Sequence, residues 1–317
     1  LKYVNIVNMK NTLYIVIPSY NEDEVIEETA KQLKEKINKL IKNKIISNNS
    51  RIIFIDDGSK DKTWNKIEDL NLKDSLFGGV KLSKNNGHQN ALLAGLISSK
   101  DKADMDADLQ DDINAIDRML EEYNKGSEIV YGVRKERSTD TFFKRNTALI
   151  FYKVMSRLGV DSVYNHADYR LMSSRAISEL ANFREVNLFL RGIVPLLGFK
   201  TSVVKYDRNK RFAGKSKYPI KKMINFAIYG VTSFSVKPIR LVSLVGFLTT
   251  IISFGILLYI LTQYFLGNTI HGWAFTAISI WMIGGIQLFS IGVIGEYIGK
   301  IYFEVKSRPR FIIEKEI

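Results

Sequence analysis

At 317 residues and 46% hydrophobic content, the chain is long enough for one large α/β domain plus an appendage, which excludes a disordered polymer. The absence of cysteine excludes disulfides, thiolate metal sites and a Cys nucleophile, and leaves the redox compartment open. A formal net charge of +13 favours an anionic partner, whether nucleic acid, a lipid surface or a phosphorylated substrate, without choosing among them.

The amino terminus lacks the charged, apolar and small-residue order of a signal peptide, and Met9 reads as a start with residues 1–8 as an extension. Residues 13–18 read as a buried strand, and Glu22 to Ile41 as a helix with Glu early and Lys late, as the helix dipole favours. Residues 51–55 give a second strand, Trp64 to Leu70 a helical turn, Gly79 to Leu82 a third strand and Gln89 to Ser98 an Ala- and Leu-rich helix. This alternation predicts a mostly parallel sheet with helices on both faces. Both leading strands deliver polar groups where they end, at Pro18-Ser19-Tyr20-Asn21-Glu22 and Asp56-Asp57-Gly58-Ser59, and open α/β sheets bind ligands there.

A strand is expected before the carboxylate cluster Asp106-Ala107-Asp108-Leu109-Gln110-Asp111. The preceding residues 100–105 are mostly polar, however, with Ala103 and Met105 alone apolar. A helix from Ile113 to Tyr123, a strand from Glu128 to Val133, a basic segment from Arg134 to Arg145 and a helix from Asn146 to Leu158 follow. Leu188 to Phe199 and Tyr218 to Phe234 mix apolar residues with Lys and Arg, suiting helices in a membrane interface; for the first, packing on a soluble core explains the pattern equally well.

Ile239 to Leu266 and Trp273 to Ile294 are each long enough to cross a bilayer as a helix. Lys237 and Arg240 precede the first span and Lys300, Lys306, Arg308 and Arg310 follow the second, while the connector from Gly267 to Gly272 has no Lys or Arg. Both ends of the hairpin are therefore expected on the cytoplasmic side. The domain expectation is an α/β domain over 9–185, interfacial helices and a loop over 186–236, two membrane helices over 237–301 and a cytoplasmic tail over 302–317.

Carboxylates one residue apart suit a hard divalent cation, above all where substrate phosphates complete its oxygen shell, and Asp106, Asp108 and Gln110 offer such a set. The chain has no Gly-x-Gly-x-x-Gly fingerprint, Walker loop or His-Glu-x-x-His helix. Dinucleotide oxidoreductases, P-loop enzymes and zincins thus lose their usual support.

Pro18 to Glu22, Asp56-Asp57-Gly58-Ser59, Asn86-Gly87-His88, the 106–110 cluster, Arg211 to Tyr218, Gly295 to Tyr302 and Arg308-Pro309-Arg310 occur in one order, ahead of and through a terminal hairpin. In that order the chain resembles family 2 glycosyltransferases of the polyprenyl-phosphate type, the dolichol-phosphate mannose synthase and undecaprenyl-phosphate glucosyltransferase-like enzymes, over residues 11–313. The resemblance implies a GT-A-like α/β fold, Mg²⁺ or Mn²⁺ as cofactor, a UDP- or GDP-linked nucleotide sugar as donor (UDP-glucose first), and polyprenyl phosphate in the bilayer as acceptor. It also implies a homo-oligomer, a tetramer, in the cell membrane.

By position, the resemblance places Pro18, Tyr20, Glu22, Asp57, Asp106 and Ala107 at the nucleotide sugar, and Asp108, Gln110 and Asp106 at the metal. Asp106, Asp168 and Arg170 fall at the reacting groups. Arg134 and Arg145 flank an acceptor loop, and Arg211, Ser216 and Lys217 grip phosphate. Asp168 and Arg170 stand in Ala167-Asp168-Tyr169-Arg170-Leu171, where the family reads Gly-Asp-Phe-Arg-Leu. Similar enzymes invert the anomeric centre in one displacement, and a phosphate acceptor, already largely anionic at neutral pH, needs no dedicated base. His88 reads as a residue that caps or packs at a helix start.

A processive polysaccharide synthase is disfavoured because none of Trp64, Trp273 or Trp281 follows Arg in the Gln-x-x-Arg-Trp motif of that group. Nucleic-acid binding is disfavoured because positive charge gathers around the membrane segments. The reading from another class is a membrane-anchored scaffold or pseudoenzyme, motivated by the weak strand before Asp106.

Overall fold

The apolar runs at Leu13–Ser19 (β1) and Arg51–Asp56 (β2) pair in parallel at the centre of an eight-stranded sheet. The computed structural model describes residues 11–108, 112–134, 166–186, 188–206, 236–266 and 272–317. The remaining strands are Phe77–Leu82 (β3), Met105–Asp108 (β4), Ile129–Arg134 (β5), His166–Ser173 (β6), Thr201–Tyr206 (β7) and Ile313–Glu316 (β8), in the order β7-β5-β6-β4-β1-β2-β3-β8. Only β6 and β8 run against the rest. The chain winds outward from β1 through β2 to β3, then returns to β1's other side as β4, so a topological switch point lies between β1 and β4.

Helices cover the sheet because their apolar residues recur every three or four positions. In Ile26–Lys42 (α1), Ile26, Ala30, Leu33, Ile37 and Leu40 are buried, with Glu27 and Glu28 in the first turn and Lys39 and Lys42 in the last. Thr63–Lys73 (α2), Ala115–Asn124 (α4), Ser174–Ala181 (α5) and Leu190–Leu196 (α6) pack likewise, with the Ser173 hydroxyl capping α5 by accepting from the Ala176 N–H at 3.0 Å. His88–Ser99 (α3) differs: Ala91 through Leu96 are all buried in sequence. At Gly95 the helix approaches the sheet so closely that an added Cβ would lie 2.4 Å from Val16 Cγ1 and 2.7 Å from Ile55 Cδ1.

Three features differ from the sequence expectation. β4 is real but only four residues long, and it contains the carboxylates instead of preceding them; its edges are satisfied by β1 and β6, so pairing overrides the polar local sequence. Of the two readings open for Leu188 to Phe199, packing on the core describes the buried face of α6, and the residues that follow it form β7, which pairs with β5 from Ile129↔Thr201 to Arg134↔Tyr206. Residues 313–316, for which the sequence announced no strand, form β8 at the β3 edge, where Lys81–Glu314, Lys102–Glu316 and Lys315–Glu68 ion pairs accompany the ladder. Polar Glu-Lys-Glu residues hid this strand, since an edge strand with both faces exposed needs no alternation. The helices expected over 146–158 and 218–234 lie outside the described residues.

Residues 307–317 cluster with the sheet, and a second compact unit contains two long helices, Lys237–Phe265 (α7) and Trp273–Lys306 (α8). Both are long and apolar enough to cross a membrane: Lys237–Ile256 has a mean hydropathy of 2.0 and Met282–Lys306 of 1.3, with none of either window buried. α8 runs past the expected end at Ile294 because Ile298, Ile301, Phe303 and Val305 continue the apolar pattern.

A methyl group at position 95 would force α3 off the sheet. Gly95→Ala is expected to destabilise the sheet-containing unit by about 1–3 kcal/mol, measured by denaturant unfolding; an unchanged midpoint would contradict this packing.

Candidate functional site

At the C-terminal ends of β1, β2 and β3, three loops lock into one cradle. Asp57, only 3% exposed, leaves β2 with its own N–H donating to the Ser19 carbonyl at 2.9 Å. Its two carboxylate oxygens accept from the N–H groups of Asn86 (2.7 Å) and Gly87 (2.9 Å), in the loop after β3. Gly58 makes this approach possible: its φ is +67°, and a Cβ there would lie 2.5 Å from the Lys84 carbonyl carbon. The loop after β1 is tied to the loop after β2 by the N–H groups of Asn21, Glu22 and Asp23, which donate to Ser59 Oγ, Thr63 Oγ1 and Asp61 Oδ2.

Within this frame Pro18 is the next-to-last residue of β1, Tyr20 presents a ring that is 42% exposed, and Glu22 is exposed at the start of the turn into α1. His88 is the first residue of α3, directly after Gly87. The sequence reading placed Asp57 at the nucleotide. The structure adds that its carboxylate organises the 84–87 loop, a role signalled by the adjacent Gly58 and by Asn86-Gly87.

On the other side of the switch point, β4 lies beside β1 with Asp106 level with Tyr14, Ala107 with Ile15 and Asp108 with Val16. Val16 is three positions before Ser19, the last residue of β1, so Asp108 stops roughly 10 Å short of the cradle by the rise of a parallel strand. β6 brings Arg170 opposite Asp108, and β5 brings Tyr131 opposite Arg170. Arg170 is 2% exposed, a fully buried cation one strand from the carboxylate positions. Its neighbour Tyr169 donates its hydroxyl to the Asp112 carbonyl at 2.7 Å, tying β6 to the segment after the cluster.

The structure therefore brings Pro18, Tyr20, Glu22 and Asp57 together, and sets Asp106, Ala107, Asp108 and Arg170 on adjoining strands. Asp168 sits in β6 and Arg134 closes β5. Gln110, Arg145, Arg211, Ser216 and Lys217 lie outside the described residues. Sequence reasoning missed Asn21, Ser59, Asp61 and Thr63 as structural partners of the cradle.

Comparison with known proteins adds independent findings. Residues 14–181 match the family model Glycosyl transferase family 2, and residues 237–301 match the GtrB C-terminal hairpin. The chain belongs to glycosyltransferase family 2. This glycosyltransferase is 52% identical over 309 residues to the uncharacterized glycosyltransferase YkoT of Bacillus subtilis, covering 96% of this chain and 92% of the relative. It is 39% identical over 306 residues to the SfII prophage-derived bactoprenol glucosyl transferase of Shigella flexneri, covering 95% and 97%. Among solved structures, the mannosyltransferase PcManGT from Pyrobaculum calidifontis in complex with GDP-Man and Mn²⁺ aligns with a TM-score of 0.42 at 12% identity, over 92% of this chain and 88% of that one.

The hard oxygen donors of Asp106, Asp108 and Gln110 fit a divalent cation in kind. Among the described residues no group of three or more His, Asp or Glu stands at metal-holding spacing.

Burial pushes both cradle carboxyls of the glycosyltransferase above the ordinary carboxylate value. Asp56, fully buried, is pulled partly back by Ser59, whose N–H donates to Oδ1 at 3.2 Å; Oδ2 has no hydrogen-bond partner among the described residues. Asp57 is pulled partly back by the Asn86 and Gly87 N–H groups. A raised folded-state value means that folding favours the protonated form. The stabilising contribution is then complete below the ordinary 3.8 and is lost as pH rises through the raised value. Asp56→Asn keeps an acceptor for Ser59 and removes the titration. Its melting temperature relative to wild type is expected to climb from pH 4 to 7, and a pH-independent difference would contradict the assignment.

Proposed function

We propose that this glycosyltransferase moves one sugar from a nucleotide diphosphate sugar, UDP-glucose first, to polyprenyl phosphate at the cytoplasmic face of the cell membrane. The observation that carries this reading is the three-loop cradle beside the switch point, in a chain that also contains the apolar hairpin. Nucleotide diphosphate sugars suit such a position, outside the carboxyl ends of parallel strands. The name of the bactoprenol glucosyl transferase relative supports both the lipid acceptor and glucose. Lys237 and Arg240 on one side of the hairpin, and Lys306, Arg308 and Arg310 on the other, support cytoplasmic ends and attraction of an anionic lipid.

In this reading Tyr20 offers its ring to the base and Pro18 and Glu22 border it. The Asp57 oxygens keep lone pairs beyond the two they use internally, which suits them to accept from base or ribose. Asp106 and Ala107 flank the sugar diphosphate, and Asp108, Gln110 and Asp106 would hold Mg²⁺ or Mn²⁺. Held there, the cation would neutralise charge on the departing diphosphate. Buried Arg170 contributes fixed positive charge beside the carboxylate strand, and Asp168 precedes it by two positions along β6. Arg134, Arg145, Arg211, Ser216 and Lys217 are assigned to acceptor and phosphate binding. The acceptor phosphate oxygen bonds to the anomeric carbon as the bond to the diphosphate oxygen breaks, inverting that carbon. A phosphate monoester, with a second pKa of about 6, needs no proton removed by the protein at neutral pH. Assembly as a homo-oligomer, a tetramer, belongs to the same proposal.

One observation favours a second reading, a membrane-anchored pseudoenzyme with an impaired metal site. The register of β4 stops Asp108 level with Val16, well before the cradle, and errors of about 1 Å cost catalysis as much as 100-fold.

The test uses full-length protein in nanodiscs with undecaprenyl phosphate, Mg²⁺ or Mn²⁺ and a panel of UDP- and GDP-sugars, with mass analysis of the lipid. The expected result is one glycosylated lipid phosphate, lost about 100-fold or more in Asp108→Ala with secondary structure retained. Nucleotide binding without any lipid product would favour the pseudoenzyme; turnover unchanged in Asp108→Ala would refute the metal assignment.

A further inference from the structure

Asn21 is the one non-glycine residue in the cradle with a left-handed backbone, at φ +51°. It stands between Tyr20 and Glu22, two residues assigned to the nucleotide, so its conformation decides how both leave the chain. Two bonds hold it there. Its N–H donates to Ser59 Oγ at 2.9 Å, and its Oδ1 accepts from the Lys60 N–H at 2.9 Å. Asn tolerates this region better than other non-glycine residues because its short side chain bonds locally.

The clasp extends along the chain. Glu22 N–H donates to Thr63 Oγ1 at 2.9 Å and Asp23 N–H to Asp61 Oδ2 at 3.3 Å, while Asp61 Oδ1 accepts from the Thr63 N–H at 3.0 Å. Three successive N–H groups, at positions 21 to 23, are thereby committed to side chains of the loop after β2. They are not left to form a phosphate nest. The exposed positions of Asn21, Tyr20 and Glu22 mean that packing alone does not fix this turn; the hydrogen bonds do.

We propose that Asn21 is a positioning residue for the nucleotide, pre-ordering Tyr20 and Glu22 against the Asp57 loop so that donor binding need not order them. This inference rests on the proposed donor site and deepens it. Pre-organisation of this kind acts on affinity, because the ordering entropy is met before the ligand arrives. It should act little on the chemical step.

The experiment compares wild type, Asn21→Gly and Asn21→Asp. Gly permits the left-handed backbone but removes the Lys60 bond; Asp keeps an acceptor for Lys60 and tolerates the backbone. Binding of UDP, GDP and their glucose and mannose conjugates is measured by calorimetry with Mn²⁺, and KM and kcat are measured with the best donor. The expected outcome is a KM and dissociation constant about 10-fold higher in Asn21→Gly with kcat within about 3-fold, and near wild-type values in Asn21→Asp. Equal affinity of wild type and Asn21→Gly, a loss confined to kcat, or no recovery in Asn21→Asp would overturn the positioning role while leaving the donor site standing. Failure of wild type to bind any of these nucleotides would overturn the donor site and the inference with it.

Discussion

The architecture of this glycosyltransferase turns on one buried carboxylate. Asp57 leaves the end of β2 and spends both oxygens on N–H groups of the loop after β3, while its own N–H reaches back to β1. A carboxylate taken from water must be matched by donors, and here the donors belong to the neighbouring loop. Loops that would otherwise move independently are therefore fixed to each other. Glycine at position 58 is the steric condition for that contact, and the Asn21 to Thr63 bonds extend the same frame to the first loop.

The sheet decides what this frame can face. Because β4 returns to the far side of β1, its carboxylates and the cradle lie on either side of the switch point, and β6 sets a buried arginine opposite Asp108. The short register of β4 is the point of tension. Strand pairing with both β1 and β6 fixes it at Asp106 level with Tyr14.

Much of this was legible in the sequence. The strands at β1, β2, β3 and β5 announced themselves through apolar runs ending in polar groups, α1 and α4 through helical spacing, and the hairpin through length and hydropathy. β6 was hidden because its motif, Ala167 to Leu171, mixes charge with apolar residues that only a buried sheet position reconciles. β8 was hidden by its exposed Glu-Lys-Glu alternation, and β7 by lying just after the basic, apolar stretch from Leu188 to Phe199. At the site, polar residues at the strand ends marked the positions of Pro18, Tyr20, Glu22 and Asp57, which the structure places in and beside the tied loops after β1 and β2. The internal bonds of Asp57 and the clasp at Asn21 required coordinates, because such contacts join residues 29 to 41 positions apart.

The central claim is that the cradle at β1 to β3 and the carboxylates of β4 serve one donor molecule. An experimental structure of the full chain with UDP-glucose and Mn²⁺, the metal located by its anomalous scattering, tests it most directly. The expected result is the base against Tyr20 and the Asp57 loop, with Mn²⁺ located at Asp108. A nucleotide bound elsewhere, or a cradle occupied with no metal at Asp108, would contradict it.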